Sequence, residues 1–185
     1  RYEQRDNDNI LLNIARLLQT AGVEFGYLYE RELYSGALLY DEGVDDAFVP
    51  HARSLYQSLK DSGVEQVITV DPHTTNMLRS VYPTVISRYD LKVKSYLEVL
   101  AGRSLSAVQE IDRHVVMQDS CIYARYEDVV DEPRQLLEKG GVRIEEPELS
   151  GRLAHCCGGP LESLFPSKAH QIARKRVEQL ARCGS

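Results

Sequence analysis

The chain has 185 residues, 43% hydrophobic and 27% charged, enough to bury a core in one domain or two small ones. A formal charge of −6 excludes the basic footprint of a nucleic-acid binder, and no apolar run approaches the roughly 18 residues of a membrane span. Four cysteines (Cys121, Cys156, Cys157, Cys183) are too few for a disulfide scaffold, so their clustering points to metal binding or redox chemistry.

In chain order, no signal peptide opens the sequence, and the absent initiator Met suggests a processed or excised segment. Ile10, Leu11, Ile14, Leu17 and Leu18 predict a helix over 9–20, capped by Asp8 or Asn9 and closed by Gly22. Val23 to Leu28 reads as a strand. A loop at Tyr34-Ser35-Gly36 and a polar stretch over 41–46 lead to a helix over 49–60, then a strand over 64–70. Asp71-Pro72-His73-Thr74 breaks that strand, and a short helix over 75–81 should stop at Pro83. A short strand over 85–87, a helix over 95–100 and a polar linker over 102–109 follow. His114 to Met117 reads as a strand, 133–139 as a helix, and Val142 to Glu145 as a strand. The last helix, over 167–182, is expected to turn Ile172, Val177 and Leu180 inward. Strands alternating with helices predict an α/β fold with mainly parallel sheets flanked by helices.

The two halves repeat each other. Leu17-Leu18, Gly22-Val23 and Phe25 recur 119 positions later as Leu136-Leu137, Gly141-Val142 and Ile144. Tyr34-Ser35-Gly36 recurs 122 positions later as Cys156-Cys157-Gly158, and Leu59 and Gly63 recur 121 positions later as Leu180 and Gly184. Two pseudo-repeated α/β units are expected, over 1–103 and 104–185. The repeat also predicts a strand before residue 1 and a further strand and turn beyond residue 185, so the chain reads as cut at both ends.

Chemistry concentrates in the second unit. Adjacent cysteines pair poorly with each other, because a disulfide needs Cα atoms about 4.4–6.8 Å apart, but they can present two thiolates to one soft metal centre. Gly158 and Gly159 allow close backbone approach to a bulky group. Cys121 follows a strand end, Gln118-Asp119-Ser120-Cys121, and 34 residues separate it from the pair. These residues predict that Cys121, Cys156 and Cys157 converge on one metal site. His155 could donate a hydrogen bond to sulfur, and reads about as well as a plain loop histidine. Arg125 and Arg134 read equally well as charges beside an anionic group and as surface ion pairs.

The cysteine pattern resembles the cysteine-rich CCG domain of heterodisulfide reductase subunits B and D and related iron–sulfur oxidoreductases. Gln118-Asp119-Ser120-Cys121 looks like that family's His-Asp-Pro-Cys, and Glu132-Pro133-Arg134 like its Glu-Pro-Arg. Val67 to Pro72, followed by Val81-Tyr82-Pro83, looks like the matching stretch of a first copy. The resemblance implies a noncubane [4Fe-4S] cluster with Cys121, Cys156 and Cys157 among its ligands, completed by a Cys-x-x-Cys that this sequence does not contain. It implies an electron-transfer partner carrying flavin, haem or ferredoxin-like clusters. The expected location is cytoplasmic, or membrane-associated through a partner or an upstream domain. In the first copy Tyr34-Ser35 stand at the cysteine pair, and Asp71 and Thr74 at the Cys-x-x-Cys, so that copy is expected to lack thiolate ligands. Tyr34, His73, His155 and Gly158 are the candidate pocket residues, and His73 also reads as a plain turn residue. A structural zinc site or a non-redox docking module are the competing readings.

Overall fold

The computed structural model describes residues 4–105 and 112–183. The chain divides into two compact units, Arg1–Ser104 and Leu105–Ser185. Among the described residues each unit has helices flanking one two-stranded parallel sheet, a mixed α/β architecture. Residues 106–109 of the predicted linker lie outside the described residues.

In the first unit, helix α1 (Gln4–Thr20) starts before the predicted residue 9, so Asp8 and Asn9 lie inside it and do not cap it. It ends as expected at Gly22, whose left-handed backbone (φ +68) lets the Gly22 and Val23 N–H groups bond back to Gln19 and Leu18. Ile14 and Leu18 are buried, whereas Ile10, Leu11 and Leu17 are exposed. Helices α2 (Ala37–Asp41) and α3 (Asp45–Asp61) follow. Strand β1 (Gln66–Thr69) pairs in parallel with β2 (Lys92–Ser95), Val67 opposite Val93. Between them the chain forms α4 (Pro72–Asn76), a π-helical turn (Met77–Val81) and α5 (Tyr82–Val85). Helix α6 (Tyr96–Ala101) is closed at its start by a reciprocal bond between Ser95 and Glu98.

Three expectations for this unit fail. Val23 to Leu28 is not a strand, because no described strand lies beside it; local β preference supplies the shape but a neighbour supplies the ladder. Pro83 does not stop the helix, since the wide π turn just before it absorbs the missing N–H. Residues 85–87 are not a strand either; the second strand is Lys92–Ser95, where Lys92 and Lys94 face solvent and Val93 and Ser95 face inward. The core gathers Phe48, Ala52, Leu55 and Leu59 of α3 against Met77, Leu78, Val81, Tyr82, Ile86 and Leu91.

In the second unit β3 (Arg113–Val116) pairs in parallel with β4 (Val142–Glu145), Val115 opposite Ile144. A π-helical turn (Tyr123–Glu127) and helix α7 (Asp131–Lys139) connect them, and α8 (Pro166–Leu180) closes the unit. Pro133 sits in the first turn of α7, where no intrahelical N–H is needed. The expected inward position Val177 is exposed, and Arg176 is the buried residue. The stripe Ala169, Ile172, Arg176, Leu180 keeps helical spacing, so a charged residue occupies an otherwise apolar face.

Candidate functional site

Three segments of the second unit carry the cysteines and their frame. The first is the end of β3, where Gln118-Asp119-Ser120-Cys121 turns into helix. The Ser120 carbonyl accepts from the Ala124 N–H at 2.9 Å, so Cys121 stands on the first helical turn. The second is the loop that brings in Cys156 and Cys157. The third is α8, against which that loop packs: a Cβ on Gly158 (φ +87) would lie 2.6 Å from the Ala169 carbonyl oxygen. Glycine is required there both by the backbone angle and by the closeness of α8.

A polar frame anchored on the buried Asp119 and Arg176 joins these segments. Asp119 is 3% exposed and accepts two bonds from Arg134 (2.8 and 3.0 Å) and one from the Gly151 N–H at 2.7 Å. Arg134 also grips Glu146 at 2.6 and 2.9 Å, so the strand end, α7 and the segment after β4 share one ionic knot. Burial pushes the Asp119 carboxyl up, but Arg134, the Gly151 N–H and the nearby Arg176 outweigh it and hold the group below the usual carboxylate range. Gln118 forms the second tie. Its amide nitrogen donates to the His155 carbonyl at 3.3 Å, and its oxygen accepts from the buried Arg176. Arg176 reaches on to the Leu149 carbonyl at 3.0 Å. Arg125 forms the third, donating to the carbonyls of Arg152 (3.1 Å) and Ala154 (2.5 Å) just ahead of the cysteine pair.

Within this frame Cys121 and Cys156 are half-buried and Cys157 is exposed; none forms a disulfide. Burial pushes the Cys121 thiol up, and Cys156 and Cys157 add to the rise, while Arg125 opposes it. Gly158 donates its N–H to the Cys156 sulfur at 3.3 Å, so the sulfur-directed bond expected of His155 comes from the backbone two residues on. His155 contributes its carbonyl. Cys183 lies beyond α8 with its sulfur 3.9 Å from the Gln179 carbonyl, a helix-end position.

Among the described residues no three Cys, His, Asp or Glu side chains crowd round a single ion. By donor chemistry alone, three cysteine sulfurs, soft ligands once deprotonated, suit an iron–sulfur cluster or zinc.

The residues Tyr34 and His73 belong to the first unit. The Tyr34 carbonyl is bonded to His51 Nε2 at 2.6 Å, and its hydroxyl accepts from the Leu38 N–H at 3.1 Å. Asp71 caps α4 by accepting from the Thr74 N–H at 2.8 Å, and His73 lies 3.8 Å from Asp41, so the turn reading of this segment holds. Thr74 donates to Ser35 at 3.3 Å and Tyr82 to the Ser35 carbonyl at 3.0 Å. Loop and turn thus meet through hydroxyls, none of them a ligand for soft metals.

Sequence reasoning missed Gln118, Asp119 and Arg176 as parts of the site. A charged residue on the apolar stripe of α8 was the available signal for Arg176. For Asp119 it was the pairing of an acid before Cys121 with the arginine of Glu132-Pro133-Arg134.

Residues 115–185 match the model of a cysteine-rich domain, CCG. The probable iron–sulfur-binding oxidoreductase FadF of Bacillus subtilis is 30% identical over 185 residues, covering 96% of this chain and 26% of the relative. The EtfAB:quinone oxidoreductase of Syntrophomonas wolfei is 30% identical over 149 residues (78% and 21%). A probable membrane-anchored ferredoxin of Chromohalobacter salexigens is 26% identical over 163 residues (83% and 24%). The chain thus spans only about a quarter of the length of these relatives. No solved structure matches it significantly. No helix among the described residues is long and apolar enough to cross a membrane. The family match therefore lies in the second unit, where residues 115–185 fit the cysteine-rich CCG domain.

Proposed function

We propose that the second unit is an iron–sulfur electron-transfer module in which Cys121, Cys156 and Cys157 hold the cluster. The observation that carries this reading is that the Cys121 turn is tied to the segment leading into Cys156 and Cys157, through Gln118 to the His155 carbonyl and Arg125 to the Arg152 and Ala154 carbonyls. The family match and the iron–sulfur relatives support it. The finer form of the proposal is a noncubane [4Fe-4S] cluster of the heterodisulfide reductase B/D kind, completed by ligands from a longer chain. When bound, the cluster supplies one-electron carriage at a potential set by its ligands and surroundings. The chain's own residues hold its irons, place the Gly158 N–H against the Cys156 sulfur and keep the loops in register through Gln118, Asp119 and Arg134.

The first unit is read as a second copy of the same domain with its ligands replaced by Tyr34, Ser35, Asp71 and Thr74. Electrons are proposed to arrive from a partner carrying flavin, haem or ferredoxin-like clusters. The name of the Syntrophomonas relative favours a quinone as the acceptor, and that of the Chromohalobacter relative favours a membrane location through another part of the protein. Anaerobic reconstitution of the full-length protein should yield iron with acid-labile sulfide, and Cys121→Ser, Cys156→Ser and Cys157→Ser should each lower the iron content. A colourless, iron-free product rejects the proposal, and zinc without sulfide transfers it to a structural metal site.

A further inference from the structure

Arginines 125 and 134 occupy opposite electrostatic situations. Arg134 is saturated by two carboxylates, Asp119 and Glu146. Arg125 has no carboxylate partner among the described residues; its guanidinium donates only to two neutral carbonyls, Arg152 and Ala154. It lies four residues after Cys121, one helical turn on, while Ala154 is fully buried and two residues before Cys156. One planar group with fixed, forked donors therefore spans both cysteine-bearing segments. The two carbonyl bonds use two of its N–H donors, the exposed side chain leaves the others to solvent, and no carboxylate among the described residues cancels its charge.

We propose that Arg125 is the positioning residue of the cysteine site, strapping the Cys121 turn to the 152–154 segment and offering its unmatched charge to the thiolate assembly. This rests on the iron–sulfur reading for the charge but not for the strap. Lysine at 125 would keep the charge, yet its single ammonium head cannot hold the forked geometry. Alanine removes both.

The strap is tested in the metal-free full-length protein with a short bis-maleimide, mapping cross-links from Cys121 to Cys156 or Cys157 by peptide mass spectrometry. Arg125→Ala should lower the yield several-fold and Arg125→Lys should lower it less; an unchanged yield in Arg125→Ala overturns the strap. The charge is tested in the reconstituted protein. Arg125→Ala should move the midpoint potential to more negative values, with Arg125→Lys returning it toward wild type; equal potentials in all three overturn the charge role. Should Arg125→Ala lose its far-ultraviolet circular dichroism, Arg125→Gln replaces it, keeping a donor without the charge. A wild-type protein that takes up no iron defeats the iron–sulfur reading and with it the charge role, and cross-linking then decides the strap alone.

Discussion

The two units bury different chemistry. Among the described residues the polar side chains buried in the first unit are neutral hydroxyls, those of Ser35, Thr69, Thr75 and Ser95, set beside a large apolar core. Among the described residues the second unit buries Asp119, Glu127 and Arg176 beside a smaller apolar set: Tyr123, Ala124, Val129, Val142, Ala154 and Ala169. Apolar burial is non-directional and tolerates drift; each side chain such as Phe48 or Met77 contributes roughly 1.5–3 kcal/mol. Buried ion pairs add little net stability but are intolerant of losing one partner. The first unit is thus organised to be stable, and the second to hold particular atoms in place.

The loops at Ser35 and Cys156 make the same point. Gly36 (φ +78) and Gly158 (φ +87) share a left-handed backbone after a two-residue approach. In the first unit the space at that loop is closed by Ser35–Thr74 and Tyr82–Ser35 hydrogen bonds. In the second it is left to sulfur.

The comparison can be broken most forcefully at Asp119. Asp119→Asn leaves Arg134 with Glu146 as its remaining carboxylate and removes charge-assisted bonds from a buried position, and about 3 kcal/mol should be lost from the second unit. Hydrogen exchange resolved by peptide checks it, and slowed exchange around β3 and β4 that survives the change would show the ionic knot to be dispensable. Phe48→Ala should remove a similar amount, about 3–5 kcal/mol, from the first unit through a cavity.

The pH dependence then separates the two. Asp119 has its native pKa lowered, so its contribution is complete above the unfolded carboxylate value of about 3.9 and drains away as pH falls through the lowered native value. The penalty of Asp119→Asn should shrink on acidification, whereas that of Phe48→Ala should stay level. Denaturation of both variants at neutral and acid pH reads this directly.

A smaller effect lies at the glycines. A left-handed backbone costs an alanine about 1–2 kcal/mol at either site. Gly158→Ala should cost more than Gly36→Ala. Its Cβ meets the Ala169 backbone oxygen at 2.6 Å, whereas at Gly36 it meets the His51 and Phe48 side chains at 3.0 Å and beyond. Equal melting shifts would mean that α8 yields as readily as a side chain. Smallest of all, Tyr82→Phe should cost about 1 kcal/mol in chemical denaturation, the worth of its bond to the Ser35 carbonyl.

Much of the α/β pattern was legible because the signals were local. Strand Val142–Glu145 matches its predicted limits, and the glycines at 22, 63 and 141 mark helix ends with left-handed backbones. Errors arose where a distant partner decides. Val23 to Leu28 has strand-like residues but no strand alongside, while Lys92–Ser95 has a single clear β-former yet pairs along β1. In the site, the cysteine spacing and Gly158 were readable from residue type. The frame was not, because Gln118, Asp119 and Arg176 are residue types usually found at the surface, and only the fold supplies their partners and buries the latter two. Nor did sequence separate Arg125 from Arg134, since only their partners differ.

The bare segment after α1 has a practical consequence. No described residue hydrogen-bonds the backbone of Glu24 to Tyr27, and Tyr27 and Tyr29 beside it are exposed. Such a stretch is an empty template onto which any extended polypeptide can zip. Handled in isolation at high concentration, the first unit should stick to itself through this segment, and Tyr27→Lys should act as a gatekeeper that restores colloidal behaviour without touching the cysteine-bearing unit.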